Sequence, residues 1–362
     1  MTSTSPSTTH RMMIPADEVS DIFSDLTPVP QDEGPLEPVC AIQYPTSFRI
    51  AYDYMRAIWQ VKEYSPRALQ LAALCLRQNP ANYTVWQWRR QCLKELGLRN
   101  DKEAILKDLQ LTATLGGSNP KNYQIWYHRR ALLESYGGTA DGKEQQQLSL
   151  LRQDFGESEL AYYESVIDID SKNYHCWSNR QWFLCTLNDD DLWERELEYT
   201  EELIDDDQRN NSAWNQRWTV VHKGTKNPLS LEITKSEADF CLTSGCKVDP
   251  YNESPWRYLV ALLQEQLKHE KTDTAVAEEM IREYEQKSAS LAQILVDAQR
   301  DPEKCVNMTW ARVDMLEMAG DKASLEQSVR MARDLETQHD VVRNKYWKLR
   351  ISQLQEKLAQ NK

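Results

Sequence analysis

From Phe48 onward apolar residues recur three and four positions apart, a period that dictates helices rather than strands. Ile50, Tyr54, Ile58 and Val61 make one such stripe. Ser65 and Pro66 open a second helix, with Ser as the N-cap and Pro at the first helical position, where its missing N–H costs nothing. Leu69, Ala72 and Leu76 carry the inner face of that helix, and Asn79-Pro80 stops it. No stretch alternates apolar and polar residues over a strand's length more than briefly. The expected fold class is all-α. Upstream, residues 1–20 are rich in Ser and Thr with little to bury, which predicts a disordered tail. Residues 21–47 contain Pro28, Pro30, Pro35, Pro38 and Gly34, too many breakers for a helix, so an extended segment is expected there. Its neighbours Ile22, Phe23, Leu26 and Val39 could pin it to a surface. The helical domain then runs over 48–356, with 357–362 as a short tail.

Within the helical region a motif repeats. Asn82, Trp86 and Arg89 recur as Asn122, Trp126 and Arg129, as Asn173, Trp177 and Arg180, and as Asn210, Trp214 and Arg217. A fifth copy keeps Asn252 and Trp256, so the copies occupy 82–90, 122–130, 173–181, 210–218 and 252–259, with weaker echoes at Trp310 and Trp347. The five tryptophans are separated by 40, 51, 37 and 42 residues. Periods of that size mean stacked helical hairpins. The long interval carries its excess in a Gly-rich insertion at 137–142, and the acidic amphipathic stretches between motifs, such as 191–197, read as the second helix of each hairpin. Asn can cap the motif helix by accepting a backbone N–H two or three residues on. The Arg lies one turn beyond the Trp, where it can stack on the indole or bond carbonyls and carboxylates of the adjacent repeat. These recurring residues read as glue between hairpins.

Function is expected where the copies differ. The position after the cap Asn holds Tyr83, Tyr123, Tyr174, Asn211 and Glu253, and the next holds Thr84, Gln124, His175, Ser212 and Ser254. The position before it holds Ala81, Lys121, Lys172, Arg209 and Tyr251. If the hairpins stack in register, Lys121, Tyr123, Tyr174 and His175 form a rim suited to phosphate, aided by the aligned N–H groups of the helix starts. The competing reading is a row of solvated caps.

Composition narrows the choices. With 43 Lys and Arg against 56 Asp and Glu the formal charge is −13, and no basic stripe offsets it, so nucleic acid is a poor partner. Twelve Trp and 16 Tyr against five Phe suit polar seams between helices. The eight Cys are scattered without a CxxC pair, which argues for thiols in a reducing compartment and against a metal site on this chain. Residues 1–15 lack an apolar signal core, and no window approaches the roughly 18 apolar residues of a membrane span. A cytoplasmic protein is expected. There is no phosphate-binding Gly-rich loop, nucleophile elbow or zinc-protease helix, and His128 reads as a packed or surface side chain rather than a catalyst.

At these Asn-Tyr-x-x-Trp-x-x-Arg repeats the chain resembles the α-subunits of protein prenyltransferases. The resemblance extends to Asp25–Gln31 ahead of the array and Arg343–Leu349 at its end, and covers about 22–356. The Pro28-Val29-Pro30-Gln31 segment resembles the α-subunit shared by farnesyltransferase and type I geranylgeranyltransferase rather than the Rab-directed paralogue. The resemblance implies a right-handed, crescent-shaped superhelical array of hairpins that acts only with a β-subunit, as a heterodimer. That β-subunit would hold the catalytic zinc, with magnesium assisting the farnesyl enzyme, and the substrates would be farnesyl or geranylgeranyl diphosphate and proteins ending in a CaaX sequence. It further implies that Lys121 contacts the leaving diphosphate and that Tyr123 borders that site. Tyr174 and His175, preceded by Asn173, would line the substrate region. Gln124 would bind the peptide's C-terminal carboxylate, and Tyr83 would sit near its last residue. Lys172 shares the local motif of Lys121 without a matching role, and the 137–142 insertion departs from the family pattern. The alternatives are a tetratricopeptide-like scaffold, against which the long periods argue, and the Rab-type α-subunit.

Overall fold

The computed structural model describes residues 13–32, 34–35, 39–138, 144–224, 229–268, 273–298 and 305–360. The chain divides into two compact units, Met1–Leu187 and Asn188–Lys362. The first contains α1 (Val19–Ile22), α2 (Thr46–Val61), α3 (Pro66–Gln78), α4 (Tyr83–Glu95), α5 (Lys102–Ser118), α6 (Tyr123–Ser135), α7 (Glu144–Ile169) and α8 (Tyr174–Leu187). The second contains α9 (Asp190–Asp206), α10 (Asn211–Lys223), α11 (Leu231–Phe240), α12 (Glu253–Lys268), α13 (Thr274–Asp297), α14 (Val306–Ala319), α15 (Lys322–Asp334) and α16 (Asn344–Gln360). Among the described residues there is no strand, and the all-α expectation holds.

The hairpins pair α3 with α4, α5 with α6, α7 with α8 and α9 with α10. Each motif helix is thus the second member of its hairpin, packed on the helix before it, the reverse of the phase expected from the sequence. An alternating array looks the same in either phase until packing is known.

The recurring residues are indeed glue, with a consistent geometry. Every motif Trp donates its indole N–H to the carbonyl six residues earlier: Trp86 to Pro80 at 2.8 Å, Trp126 to Pro120 at 2.9 Å, Trp177 to Ser171 at 2.9 Å, Trp214 to Gln208 at 3.0 Å and Trp256 to Pro250 at 2.8 Å. Every motif Arg reaches back 20 residues to a carbonyl, from Arg89 to Leu69, Arg129 to Leu109, Arg180 to Leu160 and Arg217 to Leu197. The same guanidiniums grip Asp108, Glu159, Glu164 and Glu237; Arg89, Arg129 and Arg217 thereby tie their helices to the elements on both sides, while Arg180 binds α8 twice to α7. Of the two roles expected for these arginines, polar bonding to adjacent elements prevails. Where they stack, Arg129 and Arg217 lie over Tyr162 and Phe240 at 3.6 and 3.8 Å.

The first unit's core includes Met55, Ile58, Leu71, Trp86, Leu111 and Ile125, and it also takes in Ile14, Val19 and Phe23. Residues 13–20 are therefore not part of a loose tail. Ile14 and Val19 are buried because they complete the apolar face of α2, an anchor that the Ser/Thr-rich composition around them hides. The expectation for residues 1–12 lies outside the described residues. The following segment is held by two arginines that nothing in the sequence singles out: Arg56 donates to the Val29 carbonyl at 2.8 Å, and Arg67 pairs with Asp25 at 2.7 Å while lying over Phe23. Val39, by contrast, is fully exposed and pins nothing. At the other end α16 continues through 357–360, so the short C-terminal tail is also corrected. Most of the 137–142 insertion lies outside the described residues.

The second unit is built around Trp214, Trp256, Leu259, Leu263, Ile281 and Tyr284. Gly245 permits close packing there: a Cβ at that position would lie 2.5 Å from Pro255 Cβ. The weak echo at Trp347 departs from the repeat, its indole donating to the Asp340 carboxylate at 2.8 Å instead of to a backbone carbonyl.

Candidate functional site

The site begins with the loops that start the motif helices. Each has Asn or Asp three residues before the cap: Asn79, Asn119, Asp170, Asp207 and Asp249. In four of them this side chain accepts the amide two residues on, that of Ala81, Lys172, Arg209 or Tyr251. The cap asparagine then takes the amides of the first turn. Asn122 accepts from Gln124 and Ile125, and Asn173 from His175 and Cys176. This corrects part of the phosphate-rim expectation. The second and third amides of each first turn are already bonded to the cap, so an anion at this edge meets mainly side chains rather than a row of N–H groups.

Those side chains do converge. The α8 start reaches across to the loop before α6: Asn173 Nδ2 donates to the Pro120 carbonyl at 3.2 Å, and His175 Nε2 lies 3.2 Å from the Lys121 carbonyl. The Tyr123 ring stands edge-on to His175 with centroids 4.2 Å apart, and the Tyr174 ring lies 4.0 Å from His175 and 6.0 Å from Tyr123. Both tyrosines are more than half exposed, while His175 is buried beneath them. Lys121 extends its ammonium to within 3.2 Å of Asp170 Oδ2 and stays largely solvent-facing. Lys121, Tyr123, Asn173, Tyr174 and His175 thus share one edge. Asn173, the cap that precedes Tyr174 and His175, is fully buried with both ends of its amide bonded, and supports the edge from behind. Gln124 follows Tyr123 on the same first turn and is half-buried. Tyr83 stands at the first position of α4, one repeat earlier, with its ring exposed.

Electrostatics gives these groups distinct states. Burial pushes the His175 pKa below the ordinary value, opposed by its bond to the Lys121 carbonyl. A carbonyl can only accept, so the neutral ring carries its proton on Nε2. The Tyr123 hydroxyl beside Tyr174 raises the latter's pKa, so the Tyr174 phenol keeps its proton near neutrality. Among the described residues the edge therefore offers the Lys121 ammonium and two phenol hydroxyls, with the exposed Lys172 on the adjoining loop. His128 is packed: buried, its Nε2 3.0 Å from Asp108, its Nδ1 3.2 Å from Arg90, its pKa lowered by burial. Burial likewise raises the Cys92 and Cys176 thiols to about 12. Among the described residues no three His, Cys, Asp or Glu side chains gather as a metal site, and no helix is long and apolar enough to cross a membrane.

The profile described as protein prenyltransferase alpha subunit repeat matches residues 65–96, 105–136, 157–187 and 193–224. The protein farnesyltransferase/geranylgeranyltransferase type-1 subunit alpha of Dictyostelium discoideum is 34% identical over 356 residues, spanning 93% of each chain. This chain belongs to the protein prenyltransferase α-subunits. The equivalent subunit of Solanum lycopersicum is 49% identical over 85 residues, 24% of each chain. A solved structure, Candida albicans protein geranylgeranyltransferase-I complexed with GGPP, matches with a TM-score of 0.67 at 25% identity, over 91% of this chain and 98% of that one. The matched prenyltransferase α-subunit repeats coincide with the hairpins found here, each ending in its motif helix. Lys121, Tyr123 and Gln124 lie in the second repeat, and Asn173, Tyr174 and His175 in the third. Sequence reasoning missed Asp170. Its signal was present, since Asn or Asp stands three residues before the cap in all five copies.

Proposed function

We propose that this chain is the α-subunit of a heterodimeric protein prenyltransferase. With a β-subunit it moves a farnesyl or geranylgeranyl group from the prenyl diphosphate to the cysteine of a C-terminal CaaX sequence. The observation that carries the reading is the convergence of Lys121, Tyr123 and Tyr174 on one exposed edge, in a chain of this family.

In this reading the C1–oxygen bond of the prenyl diphosphate breaks while the substrate sulfur attacks C1, and negative charge grows on the departing pyrophosphate. An ammonium at Lys121 stabilises that charge more than it stabilises the intact substrate, and so speeds the step. The Tyr123 and Tyr174 hydroxyls add hydrogen bonds to the same oxygens. His175 and Asn173 act behind them by fixing the 120–121 backbone, which keeps the cation in place without a reorganisation cost. Gln124 and Tyr83 are assigned to the peptide, Gln124 to its terminal carboxylate. Zinc on the β-subunit would supply the substrate cysteine as a thiolate, and magnesium would neutralise pyrophosphate in the farnesyl enzyme. Among the described residues no three His, Cys, Asp or Glu side chains gather, and in this reading the ligands of both metals are assigned to the partner and the substrate. The expected site of action is the cytoplasm.

The test is co-expression with a farnesyl- or geranylgeranyltransferase β-subunit, followed by transfer of labelled prenyl groups to a CaaX peptide. Transfer by the complex and none by the isolated chain is expected. Failure to assemble with β, or full activity of the chain alone, would overturn the reading.

A further inference from the structure

Lys121 shares its edge with a fixed anion. Its ammonium lies 3.2 Å from Asp170 Oδ2, and the Asp170 side chain is about one-third exposed. The other carboxylate oxygen accepts the Lys172 amide at 3.3 Å, while the Asp170 carbonyl accepts the Asn173 amide at 3.0 Å. The carboxylate is therefore clamped in an Asx turn and does not swing away when another anion arrives. We propose that Asp170 is a positioning residue, an internal stand-in for the diphosphate. It holds the Lys121 ammonium over the Tyr123–Tyr174 edge when the site is empty, and it competes with pyrophosphate for that ammonium once the transfer is done. The proposal rests on the functional reading above.

The physical reason is charge. Pyrophosphate that pairs with Lys121 must lie within several ångströms of Asp170 Oδ2, and like charges at that range repel appreciably at a protein surface. The substrate binds through other contacts as well, above all those of its long apolar chain. Free pyrophosphate can carry one more negative charge than the prenyl ester and has no apolar chain to hold it, so the repulsion is larger for the product and weighs more in its smaller total affinity. A clamped carboxylate beside the cation thus favours turnover over product retention.

Asp170→Asn tests this without disturbing the loop, because Asn79 occupies the equivalent position in the first repeat and accepts the Ala81 amide at 3.2 Å. In the heterodimer the inhibition constant of inorganic pyrophosphate is expected to fall about three- to tenfold in Asp170→Asn. The gain should disappear in a Lys121→Ala background. Asp249→Asn removes the equivalent partner of Arg209, at 2.7 Å in the second unit, and should leave that constant unchanged. Unchanged or weaker pyrophosphate inhibition in Asp170→Asn overturns the proposal, as does an equal gain from Asp249→Asn or in the Lys121→Ala background. A heterodimer that transfers no prenyl group overturns the functional reading, and this proposal with it.

Discussion

The edge formed by α6 and α8 has a counterpart in the second unit, the edge formed by α10 and α12. The hidden frames of the two agree. The Pro120 carbonyl receives the Trp126 indole and the Asn173 amide, and the Gln208 carbonyl receives the Trp214 indole and the Asn252 amide. Each edge even carries a cation–carboxylate rung, Lys121–Asp170 in one and Arg209–Asp249 in the other. The outer positions diverge. Where the first edge shows Tyr123, Tyr174 and His175, the second has Asn211, Glu253 and Ser254. Glu253 would repel a diphosphate where Tyr174 can donate to one. Possession of the repeat, or of a surface cation, therefore does not make a site. The cation acquires a function only where its neighbours also suit an anion.

Four experiments would break or sharpen this comparison, and the largest effect concerns what the two units share. Arg129→Ala leaves Glu159 buried without its partner, and Arg217→Ala does the same to Glu237. Each should cost about 3–5 kcal/mol in denaturant unfolding, because a buried carboxylate loses its counter-charge. A large cost in only one would show that the frames are not equivalent. Next, Lys121→Ala should lower the heterodimer's kcat about ten- to hundredfold, the value of roughly 1.5–3 kcal/mol for one charged hydrogen bond, while assembly survives. Arg209→Ala should leave kcat unchanged, and matched losses would erase the distinction between the edges. Third, Asn173→Ala and Asn252→Ala remove equivalent caps and should each cost about 1 kcal/mol in thermal or denaturant unfolding, but only the first should also lower kcat.

The smallest effect is in pH. Burial holds the pKa values of His128 and His175 below 6.5 in the folded chain. The unfolded chain therefore binds those protons more readily, and their contribution to stability is full above about pH 6.5 and shrinks as the pH falls below it. The equivalent positions in the second unit are Gln216 and Ser254, and His222, also held down by burial, lies in the last turn of α10. Hydrogen exchange at pH 5.5 against pH 7.5 should show the second turn of α6 and the first turn of α8 losing protection before the matching turns of α10 and α12. Equal losses would mean that these histidines do not set the difference.

What the sequence revealed depended on range. The asparagine caps were legible because their bonds span two or three residues, and the differing positions after them were legible by aligning the copies. The arginine partners were not, since Arg89 pairs 19 residues away and Arg129 pairs 30 away, across packing that spacing alone does not fix. The role of His175 was hidden for the same reason: its carbonyl partner is 54 residues earlier. The burial of Ile14 and Val19 was masked by the polar residues around them, because composition averages over a window and an anchor needs only two side chains.

The helices α6 and α8, of 13 and 14 residues, both start at the Lys121 edge, so their opposite ends lie roughly 20 Å from it. The glycine-rich insertion follows the far end of α6, beginning at Gly137. Chain added there would leave the spacing of the Lys121–Tyr174 edge unchanged. Within the first unit the helix starts are tied together by cap and ion-pair contacts, while the far end of α6 opens onto a loop that those contacts do not reach.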